Sequence, residues 1–299
     1  MRNAFIKKNR RSRNDIIFDI INTSVLFIAL LLVLYPLYYI VIASVSSPTA
    51  VNTGSVVFWP KDFTLEGYQK VFAYEPLWNA YGNTIKYVVV GTCINLLLTI
   101  TSAYALSRKE VYGRKTIMLL ITFTMIFNGG IIPTYIVVKN YGLLNTMWAL
   151  ILPTAVVPYN LIVARTFFES SIPYELVESA NIDGCTDFRF FLSIALPLSK
   201  SIIAVLALFY GVAHWNSYFP ALIYLTKREL NPLQLELREL LITQQAINNL
   251  DAESIQEVMR TSDIMKFAVI IVSSVPVIAI YPFMQRFFVK GVMIGAIKG

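Results

Sequence analysis

Charge is what this chain has least of. Only 14% of its 299 residues are charged, against roughly 25% in a soluble domain. With 56% hydrophobic residues and a mean hydropathy of +0.61, the chain cannot cover itself with polar surface in water. Cysteine and histidine are scarcer still. Cys93, Cys185 and the single histidine, His214, exclude a disulfide framework and cannot make a usual zinc site. No G-x-x-x-x-G-K-[ST] phosphate loop is present, so the chain is not an ATPase by that chemistry. The apolar stretches hold no Asp or Glu apart from what frays into their ends, and no inverted repeat is visible. Both absences weigh against an ion-coupled carrier. No filter motif points to a channel. An ion-coupled secondary sugar carrier or channel stays open as the alternative reading.

What is present is six apolar stretches, near 22–44, 84–106, 116–138, 143–166, 199–224 and 265–288. Each reaches the roughly 20 residues that a helix needs to cross a bilayer core. The sequence predicts an all-α, polytopic membrane protein. The first stretch is longer than the apolar region of a signal peptide and contains Pro36, so it reads as a retained span. Arg2, Lys7, Lys8, Arg10, Arg11 and Arg13 precede it; Arg108, Lys109, Arg114 and Lys115 follow the second stretch; Arg165, Arg189 and Lys200 flank the loop after the fourth. This asymmetry predicts both termini in the cytoplasm, and it explains the net charge of +7 without nucleic acid.

The organisation that follows is a basic cytoplasmic arm over 1–21, a first span over 22–44, a compact extracellular loop over 45–83, a core over 84–290 and a cytoplasmic tail over 291–299. Within the core, 167–198 is the largest cytoplasmic loop and 225–264 an extracellular one. Leu233 to Leu250 in the latter carries Leu and Ile at helical spacing and predicts an amphipathic helix.

Several spans carry polar groups. Thr92, Asn95, Thr99 and Ser102 share one helical face in the second. Interhelical hydrogen bonding and the lining of a path are both open for that face. Asn128-Gly129-Gly130, followed by Pro133 and Tyr135, loosens the third span, as a hinge, a path bend or close packing. The fifth carries Tyr210, His214 and Tyr218 at i, i+4 and i+8, beside Trp215 and Asn216. Rings with polar tips suit sugars, stacking on pyranose faces while hydrogen-bonding hydroxyls. The candidate substrate path is therefore Asn128, Tyr135, Tyr210, His214, Trp215, Asn216 and Tyr218, with plain packing as the competing reading.

The 167–198 loop predicts a helical hairpin. Ser170-Ser171-Ile172-Pro173 reads as a helix start and Gly184 as a stop in the left-handed region. Thr186 reads as the cap of a second helix running through Phe188 to Pro197 and into the fifth span. A push on such a hairpin would tilt the span.

Glu178-Ser179-Ala180, Gly184 and Ile194-x-Leu196-Pro197 resemble the EAA coupling motif of binding-protein-dependent ABC importer permeases, with Ser179 for the usual second alanine. Trp215 to Phe219, Asn231-Pro232-Leu233-Gln234 and the ending from Gln285 through Gly291 to Gly299 resemble the oligosaccharide branch that includes the maltose permease subunits. Gly129 to Tyr135 resembles a sub-branch for complex oligosaccharides, often served by binding proteins of the lipoprotein type. The resemblance implies a type I ABC importer permease fold in a bacterial plasma membrane. It implies a non-catalytic half of a heterodimer with a sister permease, two ATPase subunits and an extracellular sugar-binding protein. No cofactor would be bound by this chain; ATP and Mg would be used by the ATPase subunits. The implied ATPase-coupling residues are Glu175, Glu178, Ser179, Ala180, Asp183, Gly184, Ile194, Leu196 and Pro197.

Overall fold

A computed structural model describes residues 13–242, 263–280 and 282. The basic arm before residue 13, much of the 225–264 loop, the second half of the predicted Leu233–Leu250 helix and the C-terminal motif lie outside the described residues. Every regular element among those described is helical. In chain order they are α1 Arg13–Ser44, α2 Pro48–Asn52, α3 Glu66–Ala73, α4 Glu75–Ser107, α5 Arg114–Ile126, α6 Ile131–Asn140, α7 Trp148–Ile151, α8 Pro158–Ser171, α9 Tyr174–Ile182, α10 Asp187–Phe190, α11 Leu196–Leu198, α12 Lys200–Trp215, α13 Phe219–Tyr224 and α14 Leu233–Ile242. The last, α15, is Asp263–Ile280.

Three helices, α1, α4 and α15, are long and apolar enough to cross a membrane unbroken. Three further spans would each be a bent pair: α5 with α6 at 114°, Trp148–Thr154 with α8 at 51°, and Asp187–Leu198 with α12 at 78°. The six apolar stretches are thus present, but the third, fourth and fifth are not single helices. Each break has a local cause. At the first, Gly130 has φ 86 and the Asn128 side chain accepts from the Gly130 N–H at 2.9 Å, ending the ladder. The second falls where Pro158 removes a donor. At the third, Ser199 leaves helical geometry just after Pro197.

The described parts of Met1–Val71 and Asp251–Val272 form one compact unit. There α1 is exposed along nearly all its length, apolar on every side, as expected of a helix facing lipid or another subunit. The 45–71 segment folds back on the end of α1. The Tyr35 and Tyr38 hydroxyls donate to the carbonyls of Val57 and Phe58, and Ser44 bonds Tyr68 at 2.8 Å. Gly67 sits where a Cβ would lie 2.5 Å from the Ile264 carbonyl oxygen.

The described parts of Phe72–Leu250 and Ser273–Gly299 form the second unit. Its centre is α4, which packs chiefly against α12 and α8. α4 starts at Glu75, nine residues before the span predicted from hydropathy, because Pro76 favours a helix start and its first turns hold a loop described below. One buried cluster runs from Val177 and Ala180 of α9 through Phe190, Phe191 and Ala195 to Phe168, Ala103, Leu206 and Tyr210.

Candidate functional site

Two regions of the second unit carry the predicted residues, the hairpin over 172–198 and a polar network among the spans.

The hairpin begins differently from the sequence expectation. Neither Ser170 nor Ser171 caps α9. α8 continues through both, Ser170 donates to the Phe167 carbonyl, and Pro173 occupies the cap position without a side-chain bond. The far end agrees with the expectation. α9 stops at Ile182, and Gly184 takes φ 73. The Cys185 N–H donates to the Ala180 carbonyl at 2.9 Å and the Gly184 N–H to that of Asn181 at 3.0 Å. These two bonds make a Schellman stop, which satisfies otherwise orphaned carbonyls. A Cβ on Gly184 would touch nothing within 4 Å, so its positive φ alone demands glycine. Thr186 caps α10, its Oγ1 accepting from the Arg189 N–H at 3.4 Å.

α9 is sided. Val177 and Ala180 are buried in the cluster, whereas Glu175, Glu178, Ser179 and Ile182, at helical spacing, share an exposed face with Asp183 beside it. Ile182 is 86% exposed and Phe188, just across the turn, 71%. Two large apolar side chains are thus exposed at the turn of the hairpin, on elements that also expose the carboxylates of Glu175, Glu178, Asp183 and Asp187. Ile194 and Leu196 pack against the buried cluster, and Pro197 is exposed. Phe191–Ala195 forms a π turn, whose backbone hydrogen bonds reach five residues along the chain. It lets Phe190 and Phe191 both reach the core, where Tyr104 meets Phe191 at 4.7 Å and Phe168 at 5.6 Å between ring centres.

A second device fixes the start of α9. The side chain of Glu110 accepts a hydrogen bond from Tyr174, which holds the Glu110 carboxyl below its usual range; the same bond raises the Tyr174 hydroxyl above its own.

The polar network centres on Asn95, which is fully buried. Its amide nitrogen donates to the carbonyls of Thr154 and Ala155, both at 2.8 Å. In an unbroken helix the Thr154 carbonyl would accept from residue 158, but Pro158 has no N–H. Asn95 supplies the missing donor. With both amide hydrogens committed, its Oδ1 accepts, so His214, 6% exposed, donates from Nε2 at 2.7 Å. One helix turn away, the Tyr210 hydroxyl accepts from the Val157 N–H at 3.3 Å and bonds Thr99 at 2.7 Å. Two side chains, Asn95 of α4 and Tyr210 of α12, therefore satisfy groups freed where the fourth span breaks, and His214 and Thr99 bond those two in turn. Gly91 is required by the same network, since a Cβ there would lie 2.4 Å from His214 Nε2.

This corrects the aromatic stripe. Tyr210 and His214 point into protein and spend their polar atoms on other helices. Tyr218 is not on their face, because α12 ends at Trp215 and Asn216 turns the chain away with φ −90 and ψ 16. Tyr218 instead lies under Arg238, whose guanidinium is 5.3 Å from the ring centre. Trp215 is buried edge-on against Tyr81 at 6.1 Å and lines an apolar cavity of about 360 Å³ with Val88, Thr92 and Gly211. Tyr135 stacks on Tyr224 at 6.3 Å. Asn128 and Asn216 are exposed, each bonded to nearby backbone. The seven candidates do not converge on one pocket.

The sequence reading missed a clamp at the start of α4. Glu236, 1% exposed, accepts from Arg228 Nη2 at 2.6 Å and from the Tyr74 hydroxyl at 3.0 Å. Burial, followed by the nearby Glu236 charge, raises the Tyr74 hydroxyl above its usual range; the bond to Glu236 raises the Arg228 guanidinium. Asn83, Thr84 and Tyr87 bond the backbone of residues 229–233. The signal available was a glutamate on the apolar face of the Leu233 helix.

Comparison with known proteins gives one answer. The model of the family described as "Binding-protein-dependent transport system inner membrane component" matches residues 80–294. Protein LplC of Bacillus subtilis is 41% identical, over 95% of this chain and 95% of its own. The polygalacturonan/rhamnogalacturonan transport system permease protein YtcP of the same organism is 38% identical, over 95% of this chain and 99% of its own. Among solved structures, a bacterial ABC transporter involved in the import of the acidic polysaccharide alginate contains a chain 34% identical, with a TM-score of 0.85 over 93% of this chain and 99% of that one.

Proposed function

The chain belongs to the binding-protein-dependent transport system inner membrane components, with the fold of a type I ABC importer permease, and from that premise we propose that it is one permease half of an ATP-driven oligosaccharide importer. The observation that carries the coupling role is the exposed surface of the hairpin, where Glu175, Glu178, Asp183, Ile182 and Phe188 are all exposed. Ile182 and Phe188 would enter a groove on an ATPase subunit, with the carboxylates pairing basic groups at its rim. Closure of two ATPase subunits would move the hairpin. Phe190, Phe191 and Ala195 would pass that movement to α8 and α12 through the buried cluster. The hairpin would lie on the cytoplasmic side, a placement that the distribution of Lys and Arg supports.

A sister permease would complete the path, and an extracellular binding protein would deliver the sugar. This chain would bind no nucleotide and catalyse no reaction. One relative is a polygalacturonan/rhamnogalacturonan transport system permease and the solved structure is that of a transporter involved in the import of the acidic polysaccharide alginate, so an oligosaccharide or complex glycan fragment, acidic sugars included, would be the substrate class. Asn128, Tyr135, Asn216 and Tyr218 would be the candidates to meet it along a path; Tyr210 and His214 would hold the broken span. Reconstitution with the chains that copurify tests the proposal. Oligogalacturonate and neutral oligosaccharides should enter liposomes only with ATP at the ATPase face and binding protein at the other. Uptake without ATP would support the ion-coupled alternative instead.

A further inference from the structure

We propose that the cavity where α4 ends and α5 begins binds the phosphate of an anionic membrane lipid. The cavity is about 310 Å³, lined by Ser107, Arg108, Lys109, Arg114, Phe168 and Glu169, with Ile172 and Tyr174 completing its wall. Its three cations are held mainly by neutral groups. The Arg108 guanidinium donates to the Tyr104 hydroxyl at 2.7 Å and lies 4.4 Å from that ring's centre and 5.0 Å from that of Phe190. Lys109 Nζ lies 4.9 Å from the centre of the Tyr174 ring. Arg114 donates to the Arg108 carbonyl at 3.4 Å and stands 3.7 Å from Glu169, whose closer ion pair is with Arg165 at 2.6 Å. Glu110 is engaged by Tyr174 and acts on Arg108 and Arg114 through its charge without an ion pair, and Asp187 and Glu178 act in the same way on Tyr104 and Tyr174. Among the described residues, neither Arg108 nor Lys109 has a carboxylate within ion-pair distance.

Cations stacked on rings present their charge without cancelling it. Ring-held Arg and Lys with a hydroxyl from Ser107 suit an oxyanion with several acceptor oxygens. Position selects the source. The cavity sits at the junction of two consecutive spans, at the boundary of the apolar layer, and Phe168 and Ile172 give it an apolar side. A lipid phosphate lies at that depth, and basic pockets between membrane helices bind such headgroups. Because Tyr174 is both a wall of the cavity and the first residue of α9, an occupied site would brace the hairpin against α4 and α5.

The test uses the full-length chain, purified with whatever subunits accompany it, stripped of lipid and titrated with phosphatidylglycerol. Native mass spectrometry reads the lipid retained. Lys109→Gln and Arg114→Gln should each lower retention about fivefold, as expected for one cation near a charged headgroup. Lys109→Arg should restore it, and Lys115→Gln, which is exposed outside the cavity, should leave it unchanged. Arg108 is kept, because its stacking orders Tyr104 and Phe190. Inorganic phosphate in large excess should not displace the lipid. Wild-type retention by Lys109→Gln and Arg114→Gln would overturn the proposal. Displacement by inorganic phosphate would make a free phosphate the ligand and overturn the lipid source. Loss of an accompanying subunit with lipid retained would assign the cations to that subunit and overturn it as well.

Discussion

The hairpin tip and the network around Asn95 are built on opposite principles, although one buried cluster links them. At the tip, order comes from backbone bonds and one glycine, and the side chains that face outward are exposed. In the network the bonding atoms named are paired between α4, α12 and the break at 154–157, inside a low-dielectric layer where an unused donor or acceptor is expensive. The comparison teaches where this molecule can be altered without unfolding. The network holds a broken span together, so damage there should appear as lost stability. The tip is designed to be completed by another molecule, so damage there should leave the chain folded and its partner unresponsive.

The largest effect should come from the network. Gly91→Val places carbon atoms where His214 Nε2 sits. Asn95→Ala leaves two carbonyls and the His214 donor without partners, at roughly 1–3 kcal/mol for each buried group. Both variants should accumulate poorly, with a thermal midpoint lowered well beyond that of any tip variant. A near-normal midpoint for Asn95→Ala would show that water or another side chain replaces it and would break the comparison.

Gly184→Val should come next. A β-branched residue at φ 73 strains the backbone by about 1–2 kcal/mol. The stop of α9 should loosen while the midpoint of the whole chain moves little. Reconstituted uptake should fall severalfold; uptake at the wild-type level would show that the turn tolerates a Cβ. Ile182→Asp should leave stability within about 0.5 kcal/mol, since the residue is exposed. It should nevertheless uncouple uptake from ATP hydrolysis, read as sugar moved per ATP consumed. Tyr218→Ala should lower that same uptake modestly, while His214→Ala should act through stability first.

The smallest effect concerns Glu110 and Tyr174. The carboxyl is depressed in the fold, so its contribution is present above its ordinary value near 4.5 and is lost as pH falls through the lower folded value. The hydroxyl is raised, so its contribution is present below about 10 and is lost as pH rises through the higher folded value. Tyr174→Phe should remove both limbs. In thermal scans across pH, the difference between wild type and Tyr174→Phe should be largest near neutrality and shrink towards both extremes. A difference independent of pH would sharpen the comparison by giving Tyr174 a packing role alone.

Much of this was legible in the sequence, and the boundary has physical reasons. Gly184 and Thr186 were readable because a left-handed stop and a hydroxyl cap are local demands met by few residue types. The six apolar stretches were readable because membrane thickness sets a length. The breaks were less so. A proline in an apolar run signals a missing donor at Pro158, but not that Asn95, far away in sequence, replaces it. The end of α12 at Trp215 has no glycine or proline to announce it, so Tyr218 was assigned to a helical face that does not exist. Ser170 and Ser171 resembled caps because Pro173 follows them, yet burial of Phe168 and Ile172 keeps α8 helical through both. Glu236 was hidden because a buried carboxylate is legible only together with Arg228 and Tyr74.

The central claim is that the exposed face of α9 docks on an ATPase subunit. Cysteines at Glu175, Glu178 and Ile182, one at a time, should crosslink to that subunit in membranes with a short bifunctional reagent. The yield should change when ATP is added. A cysteine at Ala180, whose side chain is buried against the core, should crosslink far less. Crosslinking at Ile182 that responds to nucleotide, with Ala180 silent, is the predicted result. Equal yields at Ile182 and Ala180, or none at any of the three exposed positions, would contradict the account.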